Sequence, residues 1–291
     1  MASLKDVKIK IGGVTKTKQI TKAMNMVASA KLRGAQQRIE RFRPYADKFF
    51  DMLSDLGGQS GDVAHPFLAA RDEVKNTGIV LATSDRGLAG SFNVNIITAA
   101  LKFAAIKKAE GKDVKFYCIG KKGRDTVGKL GFEIPMAIVG QNILDFSMAT
   151  SVGNRVMEDF LAGALDEVFM FYGEFISLAK QPPATLPLLP IASPGKEKDE
   201  IPAQSKDYIY EPDMDGLFTE LLPRFVKVQV YRGLLDTSAS EHAARMTAMD
   251  NATRNCDEMA SALTLLYNKT RQAAITTELI DIVGGVEALK G

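Results

Sequence analysis

Residues 235–274, LDTSASEHAARMTAMDNATRNCDEMASALTLLYNKTRQAA, decide how this chain folds. Stepping by four and three residues picks out Leu235, Ala239, His242, Met246, Met249, Thr253, Cys256, Ala260, Leu263, Tyr267, Thr270 and Ala274, the alternation of a coiled-coil seam. The seam is thin. Small and soft side chains let two helices approach closely and suit a surface that slides past several environments. Pro223 is the one proline between Leu217 and Leu289, so a single helix is expected almost to the end of the chain. At 1.5 Å per residue it would run roughly 100 Å, too long for the interior of a compact domain of this size.

The other end reads the same way. From Leu4 to Leu56 the only proline is Pro44, and Leu4, Val7, Ile11 and Val14 fall on one helix face. Past Lys18 the apolar stripe shifts to Ile20, Met24 and Val27, then Ala35, Ile39 and Phe42, which resembles a stutter in the seam. Pro44 is expected to kink the helix or mark a local irregularity. This helix would be roughly 80 Å long. The economical arrangement lays the two ends antiparallel as one coiled coil, with a globular middle inserted between them.

That middle alternates strand and helix patterns. Strands are expected at Gly78 to Thr83, Lys115 to Ile119, Glu133 to Val139 and Glu167 to Phe171, and helices near Asn93 to Glu110, 121 to 129 and Ala149 to Leu165. Such alternation predicts βαβ units and a largely parallel sheet. Pro-rich Gln181 to Pro194 reads as an edge strand, followed by an exposed charged loop from Gly195 to Glu200.

Charge and composition narrow the function classes. Net charge is only +2 over 291 residues, yet residues 1–57 hold twelve Lys and Arg against five Asp and Glu, leaving about −5 for the remainder. A basic helix calls for an acidic partner: nucleic acid, an anionic membrane or an acidic protein surface. No apolar run is long enough to span a bilayer, and the N-terminus lacks the apolar core of a signal peptide, so a bacterial cytoplasmic protein is expected. Cys118 and Cys256 stand far apart without a metal-binding motif and read as small buried residues.

The best candidate for a conventional site is the turn Thr83-Ser84-Asp85-Arg86-Gly87-Leu88-Ala89-Gly90-Ser91-Phe92-Asn93. A glycine-bearing turn between strand and helix can hold a phosphate on its backbone N–H groups. This one has neither the dinucleotide spacing nor the Walker pattern, so it reads as a structural or protein-contact turn. His65 and His242, the only histidines, lack a nucleophile or ligand partner in sequence, and no catalytic, cofactor-binding or metal-binding residues are assigned. Arg245, Arg254, Arg271, Gln272, Thr276 and Glu278 on the last helix read as a solvated face when taken alone.

Four ordered blocks carry a family resemblance: Ile20-Thr21-Lys22-Ala23-Met24-Asn25-Met26-Val27-Ala28-Ser29-Ala30-Lys31-Leu32 with Arg43-Pro44-Tyr45; Ser84-Asp85-Arg86-Gly87-Leu88; Tyr208-Ile209-Tyr210-Glu211-Pro212-Asp213; and Ser240 to Thr253, continuing through Tyr267 to Leu279. In this order they resemble the γ subunit of the rotary F-type ATP synthase, bacterial type. The resemblance implies an α/β fold: a long antiparallel coiled coil of N- and C-terminal helices with an inserted Rossmann-like domain. Its implied boundaries are 1–57 for the N-terminal shaft helix, 58–212 for a Rossmann-like domain without nucleotide binding, and 213–291 for the C-terminal shaft helix.

The resemblance also implies a role. It is that of a non-catalytic central stalk, coupling proton flow through a membrane c-ring to conformational cycling of catalytic β subunits. The implied partners are three α and three β subunits, the ε subunit and the c-ring, with no nucleic acid. The implied place is the cytoplasmic face of the inner membrane, held there through partners. By matching position, Lys22, Met24, Asp85 and Arg86 would meet the β levers, and Arg271 and Gln272 the β catch loop. Arg245, Thr276 and Glu278 would help to maintain coupling, while Tyr208, Tyr210 and Glu211 would belong to the foot on ε and the c-ring. Ala89 departs from the pattern, since many relatives carry Cys there, and the plant-type insertion with paired cysteines is missing, so redox control is not expected. Two alternatives stand beside this reading: a basic coiled-coil protein binding nucleic acid in a salt-dependent way, and a Rossmann-type nucleotide enzyme stabilised by its ligand.

Overall fold

A computed structural model of the chain describes residues 4–59, 65–69, 71, 73–141, 144–191 and 214–290. Tyr208, Tyr210, Glu211 and the loop expected at 195–200 lie outside the described residues. The elements are α1 (Leu4–Gln59), β1 (Asn76–Ala82), α2 (Phe92–Ala109), β2 (Asp113–Ile119), α3 (Lys121–Lys129), β3 (Glu133–Ile138), α4 (Phe146–Leu161), β4 (Glu167–Gly173), β5 (Pro183–Leu189) and α5 (Met214–Lys290). The chain divides into two compact units, one of Met1–Ala28 with Met246–Gly291 and one of Ser29–Arg245.

In the larger unit a five-stranded sheet runs in the order β3-β2-β1-β4-β5. The first four strands are parallel and β5 joins β4 antiparallel at the edge, where its prolines cost the ladder least. β1 lies between two parallel neighbours and is buried from Thr77 to Ala82, as a continuous apolar run in a parallel sheet should be. Because successive side chains alternate, Ile79 and Leu81 face α2 and α3 together with Phe116 and Cys118. Val80 and Ala82 face the opposite layer, where Val152, Val156 and Phe160 of α4 meet Phe218, Leu222, Val226, Val230 and Leu234 of α5. The four-residue step of that α5 series keeps one stripe on the sheet. Its Val228 turns instead to α1, packing with Ala46, Phe49 and Leu53.

α4 begins and ends earlier than the expected 149–165. Asp145 caps its N-terminus by accepting a hydrogen bond from Met148 N at 3.0 Å. Gly163, at φ 77°, turns the chain after Leu161.

Antiparallel pairing of α1 and α5 is explicit within each unit. In the larger one the ring of Phe42 meets Tyr231 edge-on at 4.8 Å between centroids, and Phe50 meets Phe225 at 5.4 Å. In the smaller one Asn25 Nδ2 donates to Met246 O at 2.9 Å, Thr21 and Thr253 hydroxyls lie 2.8 Å apart, and Lys18 pairs with Asp257 at 2.5 Å. Rising numbers on α1 thus meet falling numbers on α5.

The expected stutter is absent. Ile20 and Val27 point outward at 60% and 58% exposure, whereas Thr21 and Ala28 are 8% and 2% exposed. The seam of α1 in the smaller unit runs Leu4, Val7, Ile11, Val14, Lys18, Thr21, Asn25, Ala28 in an unbroken three-four alternation. Apolarity pointed to the wrong face because the seam here is polar, satisfied by the three cross-helix contacts. Pro44 is exposed and α1 continues through it.

Candidate functional site

The turn from Thr83 to Asn93 leaves the carboxyl end of β1, where the strand order reverses between β2 and β4. In open α/β sheets ligands enter at that switch point. Here the turn's own groups occupy the donors that a phosphate would need. The first N–H groups of α3 are taken in sequence: Lys121 N donates to Asp85 Oδ1 at 2.8 Å, Lys122 N to Ser84 O at 3.1 Å, and Gly123 N to Thr83 Oγ1 at 2.9 Å. Ser84 N donates to Asn93 Oδ1 at 3.0 Å, closing the turn on itself. The crevice beyond β4 is also filled. A methyl added at Gly173 would meet the Phe92 ring at 2.5 Å, and Ser240 of α5 donates its hydroxyl to Gly173 O at 3.0 Å.

Asp85 works inside the fold. Besides Lys121 N, its other oxygen accepts from Gly140 N at 2.8 Å, so one carboxylate ties the start of α3 to the residues that follow β3. Gly120 is indispensable next to it. With φ at 95° and a would-be Cβ at 2.2 Å from Thr83 O, no other residue fits.

Arg245 closes the turn from the side of α5. Its Nη2 donates to Glu241 Oε1 at 2.7 Å and to Gly87 O at 3.3 Å, where Nε donates as well, also at 3.3 Å. Nη1 lies 3.4 Å from His242 Nδ1. Burial raises the Glu241 carboxyl above its ordinary value, opposed by the Arg245 charge and hydrogen bond. Burial likewise drives His242 down to about 4, helped by the charges of Arg245, Lys31 and Arg38. His242 is therefore neutral near pH 7, and its place on the seam is structural.

The structure thus gathers Asp85, Arg86 and Arg245 into one cluster, but only Arg86 offers an exposed side chain. Sequence reasoning missed its neighbours Glu241 and Leu88. The Leu88 backbone has φ 60°, a left-handed conformation that ordinarily takes Gly or Asn, and its side chain is 64% exposed. No turn residue in the sequence announced that.

The other predicted residues belong to the smaller unit. Lys22 is exposed beside half-buried Met24. Arg271, Gln272, Thr276 and Glu278 are all exposed, and Thr276 donates its hydroxyl back to Gln272 O at 2.9 Å. They sit where the seam ends: Ala274 is the last half-buried residue, and every side chain described from Ile275 to Ala288 is exposed. Ile275, Leu279, Ile280, Ile282, Val283 and Val286, between 49% and 65% exposed, make an apolar helix end with no cover from the described residues. Among the described residues no cluster fit to hold a metal occurs, and no helix is long and apolar enough to cross a membrane.

Comparison with known proteins agrees with this geometry. A family model described as ATP synthase matches residues 3–289. The chain is similar to the ATP synthase γ chain of Nitratidesulfovibrio vulgaris Hildenborough, at 68% identity over the whole of both chains, and to that of Maridesulfovibrio salexigens at 63%, again over both in full. Among solved structures it is similar to a chain of the Tetrahymena thermophila mitochondrial ATP synthase central stalk and c-ring, at TM-score 0.59 and 26% identity over 80% of this chain and 99% of that one. A chain of the Euglena gracilis mitochondrial ATP synthase shares its fold at TM-score 0.65 and 21% identity, covering 98% and 94% of the two.

Proposed function

The chain belongs to the ATP synthase γ-chain family, the central stalk of that complex, and we propose that it couples proton flow through a membrane c-ring to conformational cycling of the catalytic β subunits. It is a non-catalytic subunit of a membrane-associated complex, and neither the nucleic-acid reading nor the nucleotide-enzyme reading finds support among its relatives. The finer assembly we infer is one copy of this chain with three α and three β subunits above. The ε subunit and c-ring lie at its foot, on the cytoplasmic face of the bacterial inner membrane.

The observation that carries this reading is the uncovered apolar end of α5 from Ile275 onward. A chain that buries a five-stranded core has no reason to leave six large aliphatic side chains in water unless another subunit covers them. Exposed Arg271, Gln272, Thr276 and Glu278 sit at the start of that end and would meet the β catch loop, and exposed Lys22, beside Met24, would meet the acidic β levers together with Arg86. Tyr208, Tyr210 and Glu211 keep their proposed place in the foot. The functional parts follow as a shaft helix at 1–57, a Rossmann-like domain at 58–212 whose nucleotide crevice is filled, and a shaft helix at 213–291. Coupling then works by differential contact, each orientation of the stalk stabilising a different set of β conformations.

The test is native mass spectrometry of this chain co-expressed with the α and β subunits of its own organism. One copy bound to three α and three β, with ATP hydrolysis that weakens when the helix is cut after Ala274, supports the assembly. A chain that stays alone, or that carries nucleic acid, contradicts it.

A further inference from the structure

We propose that Arg245 is a positioning residue that acts through the turn at Thr83 to Asn93, holding Leu88 and Arg86 out toward the partner subunit rather than touching that subunit itself. The inference rests on the reading above that this face of the stalk meets the β levers. Two independent features point to it. The Arg245 guanidinium is already committed: Glu241 takes Nη2 at 2.7 Å, Gly87 O takes Nε and Nη2 at 3.3 Å, and Arg86 O lies 3.5 Å from Nη2. With 8% of the residue exposed, little of it is left for another chain. Leu88, directly after the two carbonyls that Arg245 holds, adopts φ 60° and stands 64% exposed. A large apolar side chain in a left-handed backbone costs energy twice, in strain and in exposure, and persists only where its surroundings fix it.

The surroundings that fix it are visible on both sides of the tip. Ser84 Oγ donates to Arg86 O at 2.6 Å, Asp85 is held by Lys121 N and Gly140 N, and Phe92 N returns to Ala89 O at 3.2 Å. Among the described residues the hydrogen bonds from α5 to the turn's tip come from Arg245, itself braced by an i,i+4 carboxylate of the same helix. A rotation of α5 thereby carries the tip with it, and the tip pairs one cation, Arg86, with one apolar knob, Leu88. That combination fits a helical lever bearing carboxylates beside an apolar residue.

A double-mutant cycle in the assembled, membrane-reconstituted complex tests this, reading proton pumping per ATP hydrolysed. Arg245→Gln and Leu88→Gly are each expected to lower that ratio about fivefold, the low end of inter-site coupling. The double variant should fall no further than the worse single one. Leu88→Gly also relieves the left-handed strain, so its loss cannot come from misfolding, and Arg245→Lys, which keeps the charge but not the fork, should restore part of the ratio. Additive losses would mean that Arg245 meets the partner directly, overturning the inference while leaving the contact face intact. Loss with Arg245→Gln but none with Leu88→Gly overturns it too, because the tip would then transmit nothing. If neither single variant alters the ratio, the contact face itself is misplaced and the inference falls with it. Reduced assembly with pumping per ATP intact would make Arg245 merely structural.

Discussion

Replacing Asp85 separates a structural role from a contact role, and its two backbone hydrogen bonds predict the former. Its two carboxylate oxygens accept Lys121 N and Gly140 N, each at 2.8 Å. A hydrogen bond to a charged group contributes about 1.5–3 kcal/mol when buried. Both of these lie near solvent, which can replace part of each bond, so Asp85→Ala should destabilise the isolated chain by about 2 kcal/mol rather than the full sum. Asp85→Asn is the sharper variant. An amide offers one acceptor and one NH2 group, so it can satisfy Lys121 N or Gly140 N but must turn donors toward the other, and its cost should approach that of alanine. Since 1 kcal/mol moves the midpoint of a domain of this size by roughly 2–4 °C, thermal denaturation of the isolated chain should show a fall of about 4–8 °C for both variants. An Asp85→Asn chain that melts with the wild type, yet fails to couple in the complex, would make Asp85 a partner contact instead.

Gly120→Ala should be far more damaging, costing about 3 kcal/mol or more, because the new Cβ would sit 2.2 Å from Thr83 O in a positive-φ backbone; chemical denaturation checks it. Cutting α5 after Ala274 should leave the unfolding free energy of the isolated chain within about 0.5 kcal/mol of wild type, as befits surface residues, while ATP hydrolysis by the assembled complex weakens. Asp236 should make stability depend on pH. Burial raises its carboxyl to about 6, Glu174 just past the end of β4 adds to the rise, and Arg232 of α5 and Arg43 of α1 oppose it. Its folded pKa thus exceeds the unfolded one, so its contribution is full below about pH 4 and disappears as pH rises through about 6. His242 has the opposite sign, favouring the fold above about 6.5 and losing that contribution as pH falls toward about 4, so the Asp236 effect is read as a difference between variant and wild type. Asp236→Asn should gain on the wild type by about 1 kcal/mol between pH 5 and 8, and melting curves that keep a constant gap would contradict it.

The sequence disclosed the fold where periodicity and burial coincide. Every seam position from Met246 to Ala274 read from residue spacing on α5 is buried or half-buried, and the residues between them are mostly exposed. α1 was legible as a helix and as a seam from Leu4 to Val14, but not just past it, because Lys18, Thr21 and Asn25 hold the interface through polar contacts while apolar Ile20 and Val27 face away. The parallel order of the sheet followed from alternating strands and helices, and the bounds of α4 were missed only because the Asp145 cap and the Gly163 stop were passed over. Of the site, Asp85, Arg86 and Arg245 were legible through family resemblance, but the intrachain hydrogen bonds of Asp85 and Arg245 were not. Whether a carboxylate meets a partner or its own backbone depends on the three-dimensional path of the turn, which residue types do not encode. Leu88 was invisible for the same reason: nothing in a leucine announces a left-handed backbone.

A stalk that couples the c-ring to the β subunits must rotate, and that rotation can be watched. Ala109, exposed at the end of α2, accepts an Ala109→Cys substitution for attachment of a bead, with the β subunits of the assembled complex fixed to a surface. ATP should drive the bead in one direction, with three equal dwells per turn, as a single stalk among three β subunits requires. ATP hydrolysis under a stationary or randomly fluctuating bead would contradict it.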